Sequence, residues 1–187
     1  MKENYKNSVE NAITLLMYAI GEDPNREGLK ETPNRVFRSY DKLYGGYTKD
    51  PKELLKTFDK ETYSQMVLLK NIEFYSTCEH HMLPFFGKAH IAYIPNKKVI
   101  GVSKLARLLE IYSRRLQIQE RIGEQVTTFL MDELKAKSAA CVLEAQHFCM
   151  TSRGVEKQNA KMVTSSLKGV FLKEAETREE FFNMIKL

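Results

Sequence analysis

Apolar residues at helical spacing open the chain. Val9, Ile13, Leu16, Met17 and Ile20 share one face of a helix predicted over 8–20, and Gly21 ends it. A polar turn over 21–30 leads to Thr32-Pro33, the pattern of an N-cap followed by proline at the first helical position. Val36, Phe37, Tyr40, Leu43 and Tyr44 form the stripe of this second helix, which Gly45-Gly46 stops. Asp50-Pro51 predicts a short third helical piece reaching about residue 58. The period then changes. Segments 66–75 and 87–94 alternate and are rich in β-branched and aromatic residues, so both read as strands, with 95–98 a turn. Ser103 opens a helix carrying Leu105, Leu108, Leu109, Tyr112 and Leu116. A second helix follows, with Ile118, Ile122, Val126, Phe129, Leu130 and Leu134 inward. Strand character returns over 139–150 and 162–173, and a charged amphipathic helix over 174–186 closes the chain.

Strand pairs separated by a helix pair predict an α+β fold: an antiparallel sheet with helices on one face. The helices before residue 63 form an extension, dividing the chain into 1–62 and 63–187. Such a sheet leaves edges that invite pairing with other copies. The length of 187 residues and a 43% hydrophobic content allow a real core and argue against disorder. A net charge of +5 admits nucleic acid, anionic lipid or a phosphorylated small molecule without choosing among them. Three cysteines, Cys78, Cys141 and Cys149, do not make a disulfide framework. No apolar run approaches membrane-spanning length and the N-terminus is polar. The expectation is a soluble cytoplasmic protein with free thiols.

One stretch concentrates reactive chemistry: Ser76-Thr77-Cys78-Glu79-His80-His81-Met82-Leu83-Pro84. Cys78 and His81, three apart, can present a thiolate and an imidazole to one ion from a single turn. Alone, the pair better describes a buried cysteine beside a hydrogen-bonded histidine. A second source of ligands lies at 141–150, Cys-Val-Leu-Glu-Ala-Gln-His-Phe-Cys-Met. His147 and Cys149 are two apart and would face one side of a strand. Cys141 shares their parity but lies eight residues away, too far at about 3.3 Å per strand residue, and reads as a core residue. Zinc suits mixed thiolate and imidazole ligands; three of them leave the open position of a catalytic site. Cys78, His80, His81, His147 and Cys149 are more than one ion needs, and the surplus histidines make sense as acid–base groups. Adjacent His80 and His81 diverge, so both on one ion is not expected.

Basic residues supply a candidate anion site. Ser103 is a plausible N-cap, where free amides and the helix dipole favour negative charge, and Lys104 and Arg107 bracket the same face. Arg153 follows the second ligand segment, and Arg35 and Arg38 form another pair at helical spacing. Each equally describes solvated surface charge. In Gln119-Glu120-Arg121, the first two residues suit a helix start, while the Glu120 carboxylate could also accept two N–H donors from a planar base.

With these motifs in order, the chain resembles the GTP cyclohydrolase I family over nearly its whole length. The resemblance rests on Gly21-Glu22-Asp23-Pro24, Glu31-Thr32-Pro33-x-Arg35, Ser76-Thr77-Cys78-Glu79-His80-His81, Ala92-Tyr93-Ile94-Pro95, Val99-Ile100-Gly101-Val102-Ser103-Lys104, Gln117-Ile118-Gln119-Glu120-Arg121 and His147-Phe148-Cys149-Met150-x-x-Arg153-Gly154. It implies zinc on Cys78, His81 and Cys149, with His80 and His147 moving protons. It implies Ser103, Lys104, Arg107 and Arg153 near the triphosphate of GTP, Arg35 and Arg38 as further phosphate-associated positions, and Gln119 and Glu120 on the guanine. It implies a tunnelling fold of two strands, two helices and two strands, assembled as a decamer of two pentamers with active sites between subunits. The regulatory extension of some animal relatives is expected to be absent. The implied reaction opens the guanine imidazole ring, releases C8 as formate and yields 7,8-dihydroneopterin triphosphate. A zinc-stabilised nucleic-acid module is the weaker alternative, since it would need a closed four-ligand site and a basic stripe with exposed aromatics. A scaffold that had lost its chemistry would be expected to lack ligands, and none is missing.

Overall fold

Two long strands joined by a five-residue turn form the spine of the computed structural model, which describes residues 3–55, 57–58 and 63–186. Helices α1 (Lys6–Ala19) and α2 (Thr32–Leu43) precede them, with single 3-10 turns at Glu3–Tyr5, Gly45–Thr48 and Pro51–Leu54. Strand β1 (Thr57–Phe58) comes next, then the spine, β2 (Val67–Cys78) and β3 (Pro84–Ile94). After β4 (Val99–Ile100) come α3 (Val102–Ser113), β5 (Leu116–Gln117) and α4 (Gln119–Asp132). The chain ends with β6 (Ser138–His147), α5 (Phe148–Thr151), β7 (Met162–Lys168), α6 (Val170–Lys173) and α7 (Ala175–Ile185).

The main sheet has the order β5-β2-β3-β6-β7. All neighbours are antiparallel except β5, which runs parallel to β2. The expected α+β architecture, strand pair, helix pair, strand pair, is therefore present as β2-β3-α3-α4-β6-β7. Alternation sorts the two faces of the sheet. Phe74, Phe85, Ala89, Ile91, Tyr93, Cys141 and Leu143 point one way and bury against Leu105, Leu108, Leu109, Ile122, Val126 and Leu130 of α3 and α4. The interleaved Ala92, Ala140 and Val142 point the other way, onto Phe171, Phe181 and Ile185. The C-terminal helix thus caps part of the second face, where helices on one face alone were expected.

Several local expectations change for identifiable reasons. Glu31, not Thr32, precedes the first turn of α2, and no side chain caps it. The third helical piece stops at Leu54. Its start is capped as the sequence suggests, with the Asp50 carboxylate accepting from the Lys52 amide at 2.9 Å. Thr57 and Phe58, expected to be helical, pair with Ile100 and Val99 instead, while residue 56 lies outside the described residues. Gly101, not Ser103, is the N-cap residue of α3, placing Ser103 and Lys104 inside the first turn. Leu116 leaves the helix to pair beside Thr77. The strand expected over 139–150 ends at His147, and the one over 162–173 ends at Lys168. Gly169, at φ +66°, turns the chain there; a Cβ would lie 3.0 Å from Ser138 Cα.

Candidate active site

The β2–β3 turn is tied at both ends. The Cys78 amide donates to the Leu83 carbonyl at 2.8 Å, and the Met82 amide to the Cys78 carbonyl at 2.9 Å. Met82 takes a left-handed φ of +53° to close it. The Glu79 amide donates to the Gln117 carbonyl of β5 at 3.0 Å. The Arg121 guanidinium then grips both Glu79 carboxylate oxygens, with Nη2 3.1 Å from Oε1. This bidentate pair holds the Glu79 carboxyl below the usual carboxylate range. Sequence reasoning assigned no role to Glu79 or Arg121, although both lie in quoted motifs.

The second ligand segment arrives through register. Phe85 opposes His147 across β3 and β6. His147 is still extended, at φ −111° and ψ 118°, but the next residue begins a one-turn helix. His147 and Cys149 therefore diverge rather than sharing one strand face, correcting the parity expectation. Cys149 swings toward the turn, so that ligand atoms of Cys78, His81 and Cys149 all lie within 4.8 Å of one another. The Cys78 sulfur is 3.7 Å from His81 Nδ1 and 3.9 Å from His80 Nδ1. Burial and the neighbouring Cys78 push the Cys149 thiol up, against the pull of Arg153. A divalent cation would reverse that penalty by taking the thiolates as ligands. Two sulfurs and one imidazole are donors that would suit a borderline-soft ion. Arg153 leans over the cluster, donating from Nη1 to His81 Nε2 at 3.3 Å. Cys141 stays apart: buried in the core, its thiol is pushed up to about 12.

His147 ends β6, two residues before Cys149. Its ring stacks on Phe85 at 4.5 Å between centroids, 6° from parallel. Its Nε2 is 2.8 Å from the Gln119 side-chain oxygen. Burial pushes the His147 pKa down, partly offset by Glu120. Glu120 is exposed at the start of α4, on the lip of a cleft of about 470 Å³ between α4 and β7.

The protein-family model of GTP cyclohydrolase I matches residues 9–186. The chain belongs to the GTP cyclohydrolase I family. It is 55% identical over 185 residues to the GTP cyclohydrolase 1 of Wolinella succinogenes, covering 98% of this chain and 99% of that one. It is 53% identical over 177 residues to that of a Campylobacter jejuni strain, covering 94% and 93%. It is 51% identical over 186 residues to that of Campylobacter concisus, covering 99% and 96%.

Against the residues that resemblance to the GTP cyclohydrolase I family singled out, the single chain is divided. Cys78, His80, His81, Cys149 and Arg153 converge, and His147, Gln119 and Glu120 group together at the start of α4. Ser103, Lys104 and Arg107 do not join them. The Ile100 amide donates to the Tyr93 hydroxyl at 3.1 Å, and Tyr93 pairs with Val67 at the far end of β2. The start of α3 therefore lies at the end of the sheet opposite Cys78. From Ser103 to Ser113 the helix rises about 15 Å before Leu116 reaches Thr77. Arg35 and Arg38 are exposed on α2, and among the described residues no hydrogen bond or ion pair ties them to the cluster. Among the described residues no helix is long and apolar enough to cross a membrane.

Proposed function

We infer that this chain is a GTP cyclohydrolase I, opening the guanine imidazole ring of GTP hydrolytically to give formate and 7,8-dihydroneopterin triphosphate. Family membership supports the reaction. One observation carries the site: Cys78, His81 and Cys149, from two distant segments, meet within 4.8 Å. Zinc on these three would supply a water acidic enough to be deprotonated near neutral pH. The chain's own groups do the rest. His80 protonates the purine nitrogen, making C8 electrophilic, and His147 carries a proton in one of the following transfers. Glu120 accepts the guanine N–H groups, and Gln119 stands beside it. Arg153 holds phosphate beside the cluster. Charge-assisted hydrogen bonds of about 1.5–3 kcal/mol each make a few such contacts enough for much of the binding.

Ser103, Lys104 and Arg107 also belong to the triphosphate site, with Arg35 and Arg38 as outer basic positions. Their place at the other end of the sheet supports a site completed by a second copy. The exposed Leu15, Leu16 and Tyr18 of α1, with Ile20 just after it, favour the same conclusion, since a helix with this much apolar surface seeks a partner. A decamer of two pentamers, a division into a helical region 1–62 and a catalytic unit 63–187, cytoplasmic location, and a product feeding folate or another pterin complete the proposal. Nucleic acid and membrane are not among the proposed partners. Incubation with GTP should release formate and develop a pterin absorbance together. Neither product appearing from zinc-loaded protein rejects the function.

A further inference from the structure

Gln119 was expected on the guanine, yet its side chain is 1% exposed and fully engaged within the chain. Its Nε2 lies 3.0 Å from the Leu143 carbonyl, 3.1 Å from the Met162 carbonyl and 3.0 Å from the Thr164 hydroxyl. Carbonyl oxygens only accept, so the amide N–H groups must face them. Turning the amide over would set its oxygen against two carbonyls. The side-chain oxygen is thereby committed to His147, and it too can only accept. The hydrogen at the 2.8 Å contact therefore sits on His147 Nε2. The parallel Phe85 ring, 4.5 Å away, holds the imidazole against rotation. The other ring nitrogen, Nδ1, makes no hydrogen bond among the described residues and is not buried.

We propose that Gln119 is a positioning residue that fixes the His147 ring as the Nε2–H tautomer and leaves Nδ1 as its free nitrogen. This rests on the reading that His147 moves protons in GTP hydrolysis. A base held by a third group in the correct tautomer is a recurrent arrangement in hydrolases. Gln119 thus does not itself hold guanine; Glu120, exposed next door, is left to do so.

The test uses zinc-loaded protein with ¹⁵N-labelled histidine. The chain has four histidines, and the His147 resonances are those missing from His147→Gln. The native protein should show His147 Nε2 protonated and Nδ1 bare; a protonated Nδ1 overturns the proposal without any Gln119 variant having to fold. Gln119→Met should lose the single tautomer while keeping its zinc. Its kcat should fall about 10²–10⁴-fold, the range for a misplaced general base. Its KM for GTP should stay within about threefold, because no binding contact is removed. A KM that rises in proportion while kcat survives restores Gln119 to the guanine and overturns the proposal. Native protein that leaves GTP untouched instead rejects the cyclohydrolase reading, and the tautomer spectrum remains readable.

Discussion

A mixture of two inactive variants should recover activity, because the anion-binding start of α3 and the metal cluster lie at opposite ends of one sheet. Lys104→Ala removes a phosphate contact; Cys149→Ser removes a metal ligand. If each site draws Cys149 from one chain and Lys104 from another, the draws are independent in a randomly assembled oligomer. With equal co-expression, half the chains supply an intact Cys149 and half of their neighbours an intact Lys104. About one quarter of the sites are then complete, and the mixture should reach about one quarter of native turnover. A control follows from the 3.3 Å contact between Arg153 and His81, which puts Arg153 on the same chain as the metal cluster. Arg153→Ala mixed with Cys149→Ser should recover nothing. The assay is formate release at sub-saturating GTP from doubly tagged, co-purified oligomers. If the Lys104→Ala and Cys149→Ser mixture is no more active than its parents, the shared site is wrong.

Phe85 is fully buried between Phe74 and the His147 ring, so Phe85→Ala should cost about 3–5 kcal/mol in urea unfolding; a loss under about 1 kcal/mol would contradict the packing. Cys149→Ser should lower bound zinc more than about tenfold at equal total zinc, and full occupancy would remove it from the ligand set. His90 is buried, both ring nitrogens lack a hydrogen-bond partner among the described residues, and burial and then Lys70 push its pKa below the ordinary 6.5, with Lys88 adding to them and Glu144 opposing. The unfolded chain therefore binds that proton first, and stability falls as pH drops below 6.5. His90→Leu should flatten the stability loss as pH falls below 6.5; an unchanged slope refutes the assignment.

The two long strands and the two crossover helices were legible because their periodicity is continuous. Alternation through β2 and β3, and the 3.6-residue stripes of α3 and α4, each repeat enough to outweigh single residues. What failed was local and short. The one-turn helix at Phe148–Thr151 has no stripe of its own, so Cys149 read as a strand residue. Ser103 is a good N-cap by type, but the pairing of Val99–Ile100 with β1 hands that position to Gly101. The ligand types were visible in the sequence, whereas their meeting depends on register between β3 and β6, which no local pattern encodes. The same holds for Gln119. Its place beside Glu120 suggested a shared ligand, yet the first position of α4 turns its amide inward onto β6 and β7.

The most direct measurement joins metal content to turnover on one sample. Protein stripped with a chelator and titrated with zinc should release formate from GTP in proportion to the ion bound, levelling off near one ion per chain. Turnover that is unaffected by stripping, or full loading that brings no formate, would contradict a catalytic ion held by Cys78, His81 and Cys149.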